Sequence, residues 1–241
     1  MGIRYEANLD DFAKIPNFTI AYWISNNFLK NFSRGVRFDS FGEPKSGVMT
    51  GDDNKFIRLW YEINNCKFGL GMSNYNDMIL SNKKWFPVTR GGEFRKWYGN
   101  LAEVVNFENN AYEIKHNGKN FRLRDPQFYF KEGITWTMIS SNSLSVRIVD
   151  EGILFGNGGP TSFVDSHLLY LLALLNSKIA NAYTKVFNPT INTVISDICS
   201  IPVIIDNEKE IDDLSANSTT KSKEDWDSFE TSWDFKKHPL L

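Results

Sequence analysis

The sequence predicts an α/β chain of the α+β kind, with a mixed or antiparallel sheet, hairpin loops and packed helices. Three observations carry this expectation. Between residues 84 and 155, β-branched and aromatic residues alternate around turn dipeptides, the pattern of half-buried strands. Residues 166–187, SHLLYLLALLNSKIANAYTKVF, read instead as one long helix, apolar enough in its first two turns to be buried. The chain has 241 residues, 41% of them hydrophobic and 23% charged, which allows a sizeable core in an ordinary globular composition.

In chain order, residues 1–30 form an entry segment in which KIPNFTIAYWIS reads as a strand or short helix. SFGEPKSGVMTGDDNK (40–55) is broken by Gly and Pro. In FIRLWYEINN (56–65), Phe56, Leu59, Trp60 and Ile63 recur at helical spacing, so an amphipathic helix is expected, capped by Thr50, Asp52 or Asp53. EVVNFEN, YEIKHNGKNFRL and SVRIVDEGILF then read as strands. Asn117-Gly118 marks a hairpin of type I′ geometry, and DEG at 150–152 marks a second tight turn. The 166–187 helix stops at NPT (188–190), because proline disfavours helical conformation in the residue before it. TVISDICSIPVII (193–205) reads as a short helix or turn running into a strand. The body is taken as residues 1–205 and the acidic tail as 206–241, docked or mobile.

Several function classes are excluded by what is missing. The two cysteines, Cys66 and Cys199, and three scattered histidines make no metal-ligand spacing. The N-terminus has no apolar leader, Glu6 spoils a myristoylation signal, and no apolar run approaches the roughly 20 residues of a membrane span, so a cytoplasmic protein with no membrane partner is expected. ILFGNGG (153–159) has the glycines of a methyltransferase cofactor loop, but PTSFVDS intervenes before the helix and no acid follows at ribose distance. A glycine-rich turn or substrate-facing loop is the better reading. NPTI lacks the second proline and aromatic of an NPPY motif, and TGDDNK lacks the ends of a phosphate loop. Asp52 and Asp53 read as a helix cap, and His116 and His167 have no triad partners in view. No catalytic residue, cofactor site or metal site is expected.

Charge and aromatic patterning leave one positive signal. The last 36 residues carry ten acids and five bases, so the net charge of −2 conceals a body of 19 acids and 22 bases. WFPVTRGGEFRKWYGN (85–100) interleaves Arg90, Arg95, Lys96 and the Gly91-Gly92 pair with aromatic rings. Lys83 and Lys84 precede it, and Lys115, Lys119, Arg122 and Arg124 follow. Arginine matches phosphate and the guanine edge, Asn matches adenine, and glycines let a backbone approach a phosphate. A solvated loop is the competing reading, and Trp97 and Tyr98 are read as core anchors.

MTGDDNKFIRLWYEI, KKWFPVTRGGEFRKWYGN, YFKEGITWTMISS, LLALLNSKIA, NPTIN and EDWDSFETSWDFKKHPLL together resemble the C-terminal part of PglX-type adenine-specific DNA methyltransferases of BREX phage-defence systems. KIPNFTIAYWIS is similar to a segment after their catalytic domain. The resemblance implies a DNA target recognition domain over residues 1–205, acting on double-stranded DNA. S-adenosylmethionine and the catalytic motifs would belong to the parent family's catalytic domain, itself a partner alongside other defence-system proteins. The DNA-facing residues it implies are Thr50, Asp52, Asn54, Arg58, Lys83, Lys84, Arg90, Gly91, Gly92, Arg95, Lys96, Tyr98, Ser140, Ser141, Asn142, Arg147, Asn188, Thr190 and Asn192. Two alternatives stay open: a protein-interaction platform using the acidic aromatic tail, and a carbohydrate surface of exposed rings.

Overall fold

The computed structural model describes residues 12–13, 15–141 and 143–241. The stretch 1–11, read above for leader and lipidation signals, and Asn142 lie outside them. The α+β expectation holds: eight α-helices accompany three sheets, antiparallel or mixed, among the described residues. The largest antiparallel sheet has the order β2 (Gly42–Lys45), β9 (Thr161–Val164), β6 (Gly133–Trp136), β7 (Val146–Val149). A mixed sheet has the order β3 (Ile57–Leu59), β5 (Glu103–Asn106), β4 (Trp85–Thr89), β8 (Leu154–Phe155), with β4 and β8 parallel. β1 (Val36–Arg37) pairs with β10 (Pro202–Val203). The helices α1 (Asn26–Arg34), α2 (Asp53–Phe56), α3 (Tyr75–Leu80) and α4 (Glu108–Lys115) lie in the first half. α5 (Leu168–Asn176), α6 (Lys178–Phe187), α7 (Ile195–Cys199) and α8 (Glu208–Trp226) close the chain.

Each of the two larger sheets carries its own apolar cluster. Trp136, Ile134 and Val146 of the antiparallel sheet bury against Leu171, Leu172 and Leu175 of α5 and Tyr183 of α6. Phe86, Val88 and Val105 of the mixed sheet bury with Phe56, Ile114, Phe130 and Phe155. Full burial of one such side chain stabilises by about 1.5–3 kcal/mol, so the rings concentrated here dominate the fold energetically.

Three local expectations are corrected. Residues 56–65 are not a helix: Phe56 ends α2, and Ile57, Arg58 and Leu59 pair with Val105, Val104 and Glu103 of β5. The strand ladder satisfies the backbone that a helix would otherwise pair internally. Asn117-Gly118 does turn, with Gly118 at φ +71°, but its preceding arm is α4 rather than a strand. The Asn117 amide donates to the Thr50 carbonyl, 3.0 Å away, fastening the turn to another loop. The long helix 166–187 is two helices broken at Ser177, which adopts ψ 162° and caps α6 by accepting from the Ala180 N–H. The break follows from Asn176, whose buried side chain accepts from the Val146 N–H at 3.2 Å and donates to the Val146 carbonyl at 2.9 Å. α6 does stop before Pro189, and 195–203 does run from helix to strand.

The tail is docked. α8 packs along α5, with Glu208 and Glu210 in its first turn, where the helix dipole favours acids. Beyond it, the Thr231 carbonyl accepts from the Trp60 indole at 2.9 Å, and Trp233 meets Phe68 edge to face.

Asn176→Ala should therefore cost about 1–3 kcal/mol, since it leaves the buried Val146 N–H on β7 without an acceptor, while the Val146 carbonyl keeps the Trp97 N–H at 2.8 Å. Urea denaturation of the two proteins measures this directly.

Candidate nucleic-acid interface

Gly91 and Gly92 stand at φ +90° and +88°, a left-handed conformation that side chains resist. The same segment lies directly against the second glycine loop. A Cβ on Gly91 would come 2.7 Å from the Gly158 carbonyl oxygen, and one on Gly156 would come 2.3 Å from that of Thr89. The Gly156 N–H donates to the Thr89 carbonyl at 2.8 Å, and the Thr89 hydroxyl donates to the Gly159 carbonyl at 3.1 Å. The glycines of ILFGNGG thus serve a contact between two backbones.

Arg147 clamps this joint from inside, at 1% exposure. Its Nη1 donates to the Arg95 carbonyl at 3.0 Å, and its Nη2 to the Gly91 carbonyl and Thr137 Oγ1, both at 3.2 Å. Burial, with a smaller push from the Arg95 charge, lowers its pKa to about 10, so the guanidinium remains charged at neutral pH. It is a brace behind the surface rather than a group that faces solvent.

Arg95, Lys96 and Tyr98 hold α8. Arg95 donates to the Ser222 carbonyl and to Asp225, and its guanidinium lies 5.1 Å from the Trp226 ring centre. Lys96 Nζ donates to the Asn176 carbonyl at 2.7 Å, while Ser222 Oγ donates to the Lys96 and Tyr98 carbonyls. Lys223 Nζ sits 2.8 Å from Tyr98 Oη and 2.9 Å from Asp150. Burial pushes the Tyr98 hydroxyl up to about 12, against the nearby ammonium of Lys223. Half of the basic-aromatic stretch is consequently engaged with the protein itself.

Thr50, Asp52, Asn54, Arg58 and Arg90 are brought together at a polar groove of about 430 Å³, lined by Asp53, Asn54, Ile57, Arg58, Leu59, Glu62, Arg90 and Glu103. Buried Thr50 donates to Asp53 at 2.6 Å and accepts from the Asp52 N–H. Arg90 Nη2 donates to Asp53 at 2.8 Å, and its Nε lies 3.5 Å from Glu103 without a hydrogen bond. Burial raises the Asp53 carboxyl, but its bonds from Arg90 and Thr50 outweigh this and hold it below the usual range. Glu103 is displaced upward, chiefly by burial and against the pull of Arg90. Asp52 makes no side-chain cap bond and pairs instead with Lys119 at 2.6 Å.

Beside the groove runs the segment 115–124, tied to it by Lys119–Asp52, by Asn117 on Thr50, and by the antiparallel bridge between Met49 and Arg122. Lys115, Arg122 and Arg124 are exposed there, with no carboxylate partner among the described residues. Lys83 and Lys84 are drawn elsewhere: Lys83 donates to the Cys66 carbonyl, and Lys84 pairs with Glu108 at 2.9 Å and Glu113 at 3.5 Å.

The remaining predicted residues meet in a third place. The Ser140 N–H donates to the Ile191 carbonyl at 2.9 Å, and the Thr193 N–H to that of Met138, zipping the two loops together. Asn188 organises its loop by accepting from the Thr190 N–H and hydroxyl and donating to the Asn192 carbonyl and Asp197. Thr190, Asn192 and Ser141 are exposed. The Met138 N–H donates to the Gly158 carbonyl, so this loop pair adjoins the glycine joint.

Glu62 and Glu103 belong to the groove and were not anticipated. Reading 57–59 as strand would have placed Glu103 opposite Leu59, but the helical spacing of the apolar residues concealed that register. Among the described residues no group of His, Cys, Asp and Glu could hold a metal ion, and no helix is long and apolar enough to cross a membrane. His167 pairs with Glu208, and His116 stacks on Tyr112.

Sequence comparison shows that this α+β unit is homologous to a part of two adenine-specific methyltransferases, BrxX and PglX. It is 36% identical over 240 residues to the adenine-specific methyltransferase BrxX of Escherichia coli O9:H4 (strain HS), covering 96% of this chain and 19% of that protein. It is 34% identical over 246 residues to the adenine-specific methyltransferase PglX of Lacticaseibacillus casei (strain Zhang), covering 98% of this chain and 20% of that protein. The chain thus spans about a fifth of the length of these relatives. No family model matches it.

Arg147→Met should destabilise the protein by about 1–3 kcal/mol, because it takes the donor from the Arg95 carbonyl and one of two donors from the Gly91 carbonyl, which keeps the Asn100 amide. Guanidinium denaturation is the measurement, and a loss under about 1 kcal/mol would show that the brace is dispensable.

Proposed function

We propose that this chain is the DNA-reading region of a BREX adenine-specific DNA methyltransferase, corresponding to the C-terminal part of BrxX and PglX. The observation that carries the reading is the row of exposed cations Lys115, Arg122 and Arg124 beside a polar groove. Cations without internal carboxylate partners are available to phosphates, and such phosphate bonds fix register on a duplex. Thr190, Asn192 and Ser141 add exposed hydrogen-bonding groups at the adjoining loop pair.

Methyl transfer and S-adenosylmethionine are assigned to the four-fifths of the relatives that this chain does not span. The region would hold the duplex while the target adenine is swung out of the stack into that domain. A cytoplasmic location and double-stranded DNA as partner follow from this assignment. The competing reading, a partner-binding tail, is weakened by geometry: Trp226 packs under Arg95 and Trp233 against Phe68.

Fluorescence anisotropy with a random-sequence duplex tests the reading. Wild-type binding should fall steeply as salt rises, through counterion release. The Lys115→Ala/Arg122→Ala/Arg124→Ala variant should bind more weakly and show a shallower salt dependence, by about 0.9 in log–log slope for each phosphate that is no longer neutralised. Absence of binding at low salt, or an unaltered triple variant, would reject it. Arg95 and Lys96 are unsuitable for this purpose, because the Arg95 side chain fastens α8 and that of Lys96 fastens the end of α5.

A further inference from the structure

The charge in the groove is wrong for a phosphate site. Three carboxylates, Asp53, Glu62 and Glu103, face two guanidiniums, and Arg90 is already committed to Asp53 and stands near Glu103. A phosphate entering here would meet uncompensated acids, whereas the exposed cations lie outside on the 115–124 segment.

What the groove does offer is a set of donors and acceptors on rigid supports. Arg58, in β3, donates from Nη1 to the carbonyls of Asn54 and Ile57, both at 2.6 Å, which orients the guanidinium and leaves Nε and Nη2 without a partner among the described residues. Asn54 lies one turn earlier, in α2, with its side-chain amide free of partners among the described residues. Glu103 comes from β5, the neighbour of β3, and burial holds its carboxyl above the usual range. Glu62 accepts from the Leu59 N–H at 2.9 Å and keeps its second oxygen for another donor.

These are the groups that distinguish bases. Arginine matches O6 and N7 of guanine, asparagine matches N6 and N7 of adenine, and a carboxylate accepts from the N4 amino group of cytosine. We infer that this groove is the base-reading site of the chain, with Arg58, Asn54, Glu62 and Glu103 meeting base edges in the major groove while Lys115, Arg122 and Arg124 hold the backbone. The inference rests on the DNA-binding reading above. It separates that surface into a part that sets specificity and a part that sets affinity.

The test is selection from a duplex library with a randomised centre, captured on the purified chain and sequenced, beside anisotropy on bulk random duplex. Wild type should enrich a defined motif. Arg58→Ala and Asn54→Ala should each flatten the preference at one or two positions, by about ten- to a hundredfold, with the salt slope on bulk duplex unchanged. Glu103→Gln keeps the shape and should alter which base is preferred, so the test survives if Arg58→Ala fails to fold; thermal melting checks each variant. Wild-type binding without any sequence preference, variants that retain the motif, or a salt slope lowered by about one in Arg58→Ala would each overturn the base-reading assignment. Failure of wild type to bind duplex at any salt would instead remove the DNA-binding reading beneath it.

Discussion

The fold is organised around a charge that has no access to water. Arg147 brings its guanidinium from β7 into the space behind the Gly91-Gly92 segment and binds carbonyls and hydroxyls there, with no carboxylate beside it among the described residues. A buried cation of this kind depends on the acceptors around it, and those that meet Nη1 and Nη2 are held in place, although Nε is buried without a partner among the described residues. The end of β4, the loop carrying Arg95, and Thr137 after β6 are all joined through it. The parallel pairing of β4 with β8 and the close approach of the two glycine loops complete the same joint.

From this joint the two faces of the molecule diverge. On one side the residues after Gly92 turn inward and grip the C-terminal helix through Arg95, Lys96, Tyr98 and Ser222. The acidic tail neutralises part of that stretch, and two of its tryptophans pack against the body. On the other side Arg90 points into the groove beside Thr50 and Asp53, where acids and bases are interleaved. Beside that groove, Lys115, Arg122 and Arg124 of the 115–124 segment stay free of such pairing among the described residues. Affinity for a polyanion and discrimination among its bases thus have different physical requirements, and the structure offers separate places for each.

Much of the framework was legible beforehand. The α+β class, the strands in EVVNFEN and SVRIVDEGILF, the buried apolar helical run and its stop at Pro189 follow from side-chain period and from proline's backbone restriction, whereas YEIKHNGKNFRL forms a helix and an irregular segment rather than strands. The resemblance carried by six separated segments is matched by homology over nearly the whole chain. Local signals failed where a distant partner overrode them. The helical spacing of Phe56, Leu59, Trp60 and Ile63 gave way to pairing with β5, and the apolar run 168–187 broke because Asn176 bonds across to Val146. For the candidate site, residue type was a fair guide to polarity and a poor one to exposure: Arg90, Arg95 and Arg147 look alike in sequence, yet one lines a groove, one fastens a helix and one is buried.

The sequence by itself determined which residues are apolar and at what period, where glycine and proline interrupt the chain, and that charge is divided between a mildly basic body and an acidic tail. Those properties act over a few residues and need no knowledge of the rest. Tertiary structure alone decided which cations keep their charge available. An ion pair depends on two side chains meeting within about 4 Å, and separations such as Arg90 to Asp53 or Arg95 to Asp225 are fixed only when the whole chain has packed.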